Sequence, residues 1–404
     1  MDIFDKYAQY AQRHQQLLAM GSDPFAVRLD DLKSATEADI DGRRTILAGT
    51  NNYLGLTYDP ECIAAAEAAL RHYGTGTTGS RIANGTYGLH TELEAAFARF
   101  FGKTSCMVFS TGYQANLATI AGLASPRDVV LIDADSHASI YDACKLSGAT
   151  IVRFRHNDAT DLDKRLSRLG SQGDCKLVIV EGLYSMLGDT APLTDFVEVK
   201  KRHGAWLLVD EAHSFGCFGA HGRGLAEEQG VEEEVDFVVG TFSKSLGAIG
   251  GFGASSHPQF DLLRLCARPY MFTASPSPAS IASVHAALRR IEFDPSLRDR
   301  LWTNARRLHG GFTRLGLRPS SPPSPVIAVP MADEVSAALA WNLLREQGVY
   351  VNLALPPGTP NSLCLLRCSV SAAHSLAQID EIVARFGTVM EGLAARAPAL
   401  AATA

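Results

Sequence analysis

Between Ala205 and Gly251 the chain carries two short apolar runs, Trp206–Val209 and Phe237–Val239. The first stops at Asp210. The second enters a turn of small residues that holds Lys244 between Ser243 and Ser245, with Leu246, Gly247, Gly250 and Gly251 close behind. Valine-rich runs this short, bounded by glycine or polar residues, fit strands covered on both faces, as in a parallel sheet flanked by helices. Ligands of such sheets sit outside the carboxyl ends of the strands. An acid and a lysine from two different strands are therefore delivered to one rim.

That pair matches the needs of pyridoxal 5'-phosphate (PLP) chemistry. An amine condenses with the cofactor aldehyde, and a carboxylate keeps the pyridine nitrogen protonated so that the ring withdraws electrons from a carbanion. His213 follows Asp210 closely and projects toward the same ring. Taken singly, Asp210 and His213 read as well as a strand-end cap, and Lys244 as a surface lysine. The combination points to the cofactor.

Composition narrows the remaining classes. With 404 residues, 46% of them apolar, the chain can build a large core in two or three domains. A net charge of −6 without a basic block gives nucleic-acid binding no support. No run approaches the ~18 apolar residues of a membrane span, and the start, MDIFDKYAQYAQRHQQ, lacks the plan of a signal peptide. Eight scattered cysteines without a CxxC suggest neither a zinc site nor a disulfide framework, and fit a reduced cytoplasm.

Along the chain, Phe4, Tyr7, Ala11 and Leu18 recur at helical spacing, which predicts an amphipathic N-terminal helix. Its polar face has Lys6 and Arg13 as firm cations, so packing on protein is favoured over a peripheral membrane contact, which stays open. Asp41-Gly42 between apolar neighbours predicts a hairpin. Glu61–Tyr73 and Thr91–Phe101 read as helices. Gly74–Gly79 matches GxGxxG literally, but a helix precedes it where a dinucleotide fingerprint needs a strand. Strands are predicted at Met107–Phe109, Val129–Ile132, Ile151-Val152, Leu177–Val180 and Gly251–Ala254 besides the two already named. Seven strands with helical crossovers give a mostly parallel sheet. Ser110-Thr111-Gly112-Tyr113 opens a helix after a strand, where free N–H groups and the positive dipole end suit a phosphate. From about Ala282 the pattern shifts to a small α/β domain with strands at 326–329, 349–353 and 364–368 and helices at 332–347 and 376–389. Ser320–Pro325 reads as a linker-like loop. Arg367, inside a mostly apolar strand, is a cation that wants a carboxylate.

VDEAHSFGCFGAHGRG followed by GTFSKSLGAIGG resembles the α-oxoamine synthases, which are fold-type I PLP enzymes, and among them the serine palmitoyltransferase branch. The resemblance runs from about Asn51 to Phe386. It implies that Lys244 binds PLP and later removes a proton, that Asp210 holds the ring nitrogen, that His213 meets the ring oxygen, and that His137 stacks on the ring. It further implies cofactor contacts from Gly112, Tyr113, Ser185, Thr241 and Ser243. Thr273 and Ser275 would reach the phosphate of a partner subunit across a homodimer with shared sites. Asn52 of the Asn51–Leu56 segment and Ser80 of the glycine-rich stretch would line the substrate side, and Arg367 would take the substrate carboxylate. Leu355–Pro360 resembles a mobile loop of that branch, though without the arginine found beside it in some members. No metal is implied.

The expected fold is accordingly an α/β fold-type I transferase. Residues 1–55 would form an N-terminal helix and hairpin, 56–285 a large PLP domain, 286–392 a small α/β domain, and 393–404 a disordered tail. The expected reaction is a decarboxylative condensation of L-serine with a long-chain acyl-CoA or acyl carrier protein thioester. The sibling activities, 5-aminolevulinate synthase, 8-amino-7-oxononanoate synthase and 2-amino-3-oxobutyrate CoA ligase, are the alternatives.

Overall fold

The computed structural model describes residues 2–401, with side chains through 395. The chain divides into two compact units, one of residues 1–51, 186–188 and 300–404, the other of residues 52–185 and 189–299.

The chain opens with helix α1 (Ala8–Ala19), then strands β1 (Asp31–Leu32), β2 (Glu37–Ile40) and β3 (Arg43–Leu47), all in the first unit. The face of α1 predicted to pack is mostly exposed: Phe4, Tyr7 and Leu18 face solvent, and the buried residue is Leu17. The hairpin forms as expected. Asp41 and Gly42 both take positive φ, 51° and 73°, the backbone of a two-residue turn whose twist matches its strands.

The second unit follows. It contains helices α2 (Pro60–Tyr73) and α3 (Gly88–Phe100), then β4 (Ser105–Phe109), α4 (Gly112–Leu123), β5 (Val129–Asp133), α5 (Ala138–Ser147), β6 (Thr150–Phe154) and α6 (Ala159–Leu169). After these come β7 (Lys176–Glu181), α7 (Leu193–His203), β8 (Trp206–Asp210), the helical turn α8 (Leu225–Glu228), β9 (Phe237–Thr241) and β10 (Gly251–Ser255). Short helices α9 (Leu263–Cys266) and α10 (Arg268–Met271) lead to α11 (Pro278–Phe293). Seven strands form one sheet in the order β4-β10-β9-β8-β7-β5-β6. All are parallel except β10, which runs antiparallel to both neighbours. The central strands are buried along their length, as strands covered by helices on both faces must be. Because α11 packs against α2, it belongs to this unit, and the division expected at 285 falls instead after residue 299.

Helix α12 (Ser296–Arg314) leads back to the first unit, which adds β11 (Val326–Met331), α13 (Glu334–Glu346), β12 (Val349–Tyr350), β13 (Asn352–Ala354), β14 (Cys364–Ser369) and α14 (Leu376–Ala401). The run read as one strand at 349–353 is split: β12 extends the N-terminal sheet beside β3, whereas β13 joins β14. That pairing is why residues 1–51 group with the C-terminal elements. The loop at 320–325 is not a linker. Ser324 is buried with its hydroxyl donating to Val326 O, and Ser321 donates to Leu187 O. The tail expected to be disordered from 393 continues as α14 to Ala401, in keeping with its alanine content; residues 402–404 lie outside the described residues.

Candidate active site

The carboxyl ends of β7, β8 and β9 open on a cavity of about 310 Å³ that lies wholly in the second unit. Asp210, His213, His137, Thr241, Ser243, Lys244, Gly112 and Tyr113 line it together, with Asn116, Ser139 and Glu181. Asp210 and Lys244 thus share one cavity, as the two apolar runs predict.

Asp210 closes β8 and is 4% exposed. Its Oδ1 accepts the Ala212 backbone N–H at 2.9 Å, and its Oδ2 accepts the Asn116 side-chain amide at 2.7 Å. A carboxyl group so buried needs such partners, because an unpaired polar group in the interior is costly. His213 Nδ1 lies 2.6 Å from the Tyr53 hydroxyl, so the segment around Asn52 fixes this ring. His137 caps α5, and its Nδ1 accepts the Ser139 backbone N–H at 3.2 Å. That bond leaves the proton of the neutral ring on Nε2. Burial lowers the His137 pKa, against the attraction of Asp210.

Lys244 sits in a turn locked from behind. Ser245 Oγ donates to Phe215 O at 2.6 Å, and Thr241 Oγ1 lies 2.9 Å from Ser243 Oγ. Opposite, Thr111 caps α4 by accepting the Gln114 N–H at 3.1 Å. Gly112 starts that helix where an added Cβ would stand 2.6 Å from Thr241 Cβ. Only glycine lets the helix N-terminus approach the lysine turn so closely, which makes a narrow, donor-rich cradle for an anion. The orphaned Asn116 Oδ1 and the shared cavity of amine, acid and cradle fit PLP.

Other predicted residues lie outside the cavity lining. Ser275 Oγ donates to Gly85 O at 2.6 Å and lies 2.7 Å from Thr77 Oγ1, tying this segment to the glycine-rich stretch. Ser80 forms a bridge with Ala274 in the same tie. Thr273 Oγ1 accepts from Gln114 Nε2 at 3.3 Å. Asn52 donates to Thr57 Oγ1 at 2.7 Å, and its Oδ1 is buried without a hydrogen-bond partner. Ser185 is half-buried after β7. Arg367 belongs to the first unit, where it is 5% exposed and donates to Ser369 Oγ at 3.0 Å and to Asn51 Oδ1 at 3.2 Å.

Asn116, Ser139 and Glu181 had no role in the sequence reading. Asn116 stands one helical turn below Gly112 on a largely apolar helix, a spacing that could have revealed it. Glu181 ends an apolar run just as Asp210 does.

The chain is similar to known proteins over nearly its whole length. The family described as aminotransferase class I and II matches residues 44–386. The serine palmitoyltransferase of Caulobacter vibrioides is 54% identical over 389 residues, 96% of this chain and 96% of that protein. That of Sphingomonas paucimobilis is 51% identical over 388 residues, covering 95% of this chain and 92% of its own. A solved structure of a lysine variant of the S. paucimobilis enzyme, with a PLP-myriocin aldimine, superposes with a TM-score of 0.96 at 49% identity, covering 98% of this chain and 100% of that one. The chain therefore belongs to the class I and II aminotransferase family, in the α-oxoamine synthase branch that holds the bacterial serine palmitoyltransferases.

Proposed function

We propose that this chain is a serine palmitoyltransferase, condensing L-serine with a long-chain acyl thioester to give 3-oxosphinganine, CO2 and the free thiol. The observation that carries the reading is the convergence of Lys244 and Asp210 on one cavity beside the α4 N-terminus. PLP bound there supplies the electron sink that lets serine Cα act as a nucleophile.

The residues divide the remaining work. The Lys244 amine would hold the cofactor and, when free, would take the serine Cα proton. Asp210 keeps a proton on the ring nitrogen, while Asn116 and Ala212 N–H hold its carboxylate in place. His213 donates toward the ring oxygen with Tyr53 behind it. Gly112, Tyr113, Thr241 and Ser243 hold the phosphate. His137 would cover the ring, with its Nε2–H toward the serine carboxylate. Arg367 is assigned to that carboxylate as well, with Asn52 and Ser80 on the substrate side and Ser185 near the ring oxygen. Thr273 and Ser275 are assigned to the phosphate of the partner subunit's site, so the reading includes a homodimer. It also includes a cytoplasmic location; no helix among the described residues is long and apolar enough to cross a membrane.

The test pairs serine, glycine or alanine with palmitoyl, succinyl, pimeloyl or acetyl thioesters and assays the ketone product. The reading requires serine with palmitoyl thioester to be the productive pair. Ketone from another pair in its absence moves the chain to a sibling activity.

A further inference from the structure

Glu181 ends β7 in register with Asp210 at the end of β8, so two acids lie abreast on adjacent parallel strands. It is 4% exposed, lines the cavity, and takes the backbone N–H of His137 on its Oε1 at 2.5 Å. His137 is the residue where the chain turns from β5 into α5, so this one bond sets where the imidazole begins its reach over the cavity. A buried acid next to another acid is costly unless something depends on it.

We propose that Glu181 is a positioning residue: its carboxyl clasps the His137 backbone to hold the imidazole over the cofactor ring, and it sets the charge that Asp210 experiences. This rests on the PLP reading of the site. The groups facing Glu181 are Asp210 on β8, Lys244 after β9, Asp133 on β5, the buried Tyr184 just after β7 and the His137 N–H. Burial and then Asp210 push its carboxyl up to about 8, with the His137 N–H and Lys244 pulling the other way. Below that pH Glu181 is neutral; above it a negative charge appears beside the Asp210 carboxyl group, strengthening the hold on a protonated ring nitrogen.

The experiment uses purified enzyme stripped of cofactor and titrated with PLP, with the bound cofactor's absorbance followed against pH. Wild-type protein is expected to bind PLP and to show a spectral titration near pH 8. Glu181→Ala, which leaves the His137 N–H without this acceptor, should weaken PLP binding by ~10-fold or more and raise KM for serine. Glu181→Gln keeps an oxygen for that N–H, so it should recover most of the affinity yet lose the titration near pH 8. If the alanine variant does not fold, the glutamine variant's pH curve decides alone. Glutamine and wild-type curves that coincide, or alanine binding PLP as wild type does, would overturn the proposal. Wild-type protein that binds no PLP would overturn the functional reading itself.

Discussion

The side-chain amide of Asn116, on α4, donates to Asp210 Oδ2 at 2.7 Å. The helix whose N-terminus is proposed to hold the phosphate thereby also fixes the acid proposed to face the ring nitrogen. Hydrogen bonds to a charged group are worth about 1.5–3 kcal/mol, so Asn116→Ala should weaken PLP binding by roughly one to two orders of magnitude. Equilibrium titration of the stripped enzyme measures it. Unchanged affinity would show that Asp210 needs no such support.

Lys244→Ala removes both the proposed tether of the cofactor and the proposed base. Loss of a general base alone costs ~10²–10⁴-fold in rate, so turnover should fall at least that far while the fold persists. Full turnover in this variant would end the proposed mechanism.

Gly112→Ala puts a methyl group 2.6 Å from Thr241 Cβ. Either α4 or the lysine turn must move, and the anion cradle widens. The expected result is weaker binding of PLP, and of inorganic phosphate as a competitor, together with a lower melting temperature without cofactor, since overpacking costs about 1–3 kcal/mol. Calorimetry on the stripped protein separates the two effects.

His156 joins the end of β5 to the loop between β7 and α7 through Asp133 Oδ1 at 2.8 Å and Asp189 Oδ2 at 2.6 Å. Burial opposes its charge, but the hydrogen bonds that its ring donates to the two carboxylates prevail and raise its pKa to about 10. The folded value lies above the unfolded one of about 6.5. This stabilisation is therefore complete below pH 6.5 and fades as pH rises through about 10. Melting curves of wild type and His156→Gln should be furthest apart near pH 6 and converge toward pH 10. A gap independent of pH would contradict the ion-pair account.

Arg367→Ala should raise KM for serine much more than it lowers affinity for PLP, because its assigned partner is the substrate carboxylate. Substrate saturation curves on the loaded enzyme test this. A KM indistinguishable from wild type would return Arg367 to a purely structural role with Ser369 and Asn51.

Much of the site was legible because it is built from strand ends. An apolar run that stops on Asp210, or on the turn with Lys244, announces both the strand and the rim it serves. The N-terminus of α4 was legible from Ser110–Tyr113 in the same way. The Asp41-Gly42 hairpin was legible because only such residues accept positive φ in sequence. Helical spacing alone misplaced the buried face of α1, since a period reports amphipathicity and not which side finds a partner. The run at 349–353 reads as one mostly apolar strand, and nothing local said that Val351 would separate two sheets.

Local pattern therefore determined which segments become strands and helices, and which polar groups stand at their ends. The tertiary structure alone decided their neighbours. Glu181 lies beside Asp210 because β7 pairs with β8, and Asn116 reaches the same carboxylate because α4 crosses over that edge of the sheet. The physical reason is that strand order and helix placement are settled by burying apolar faces across long stretches of chain, and no short window of residues carries that information.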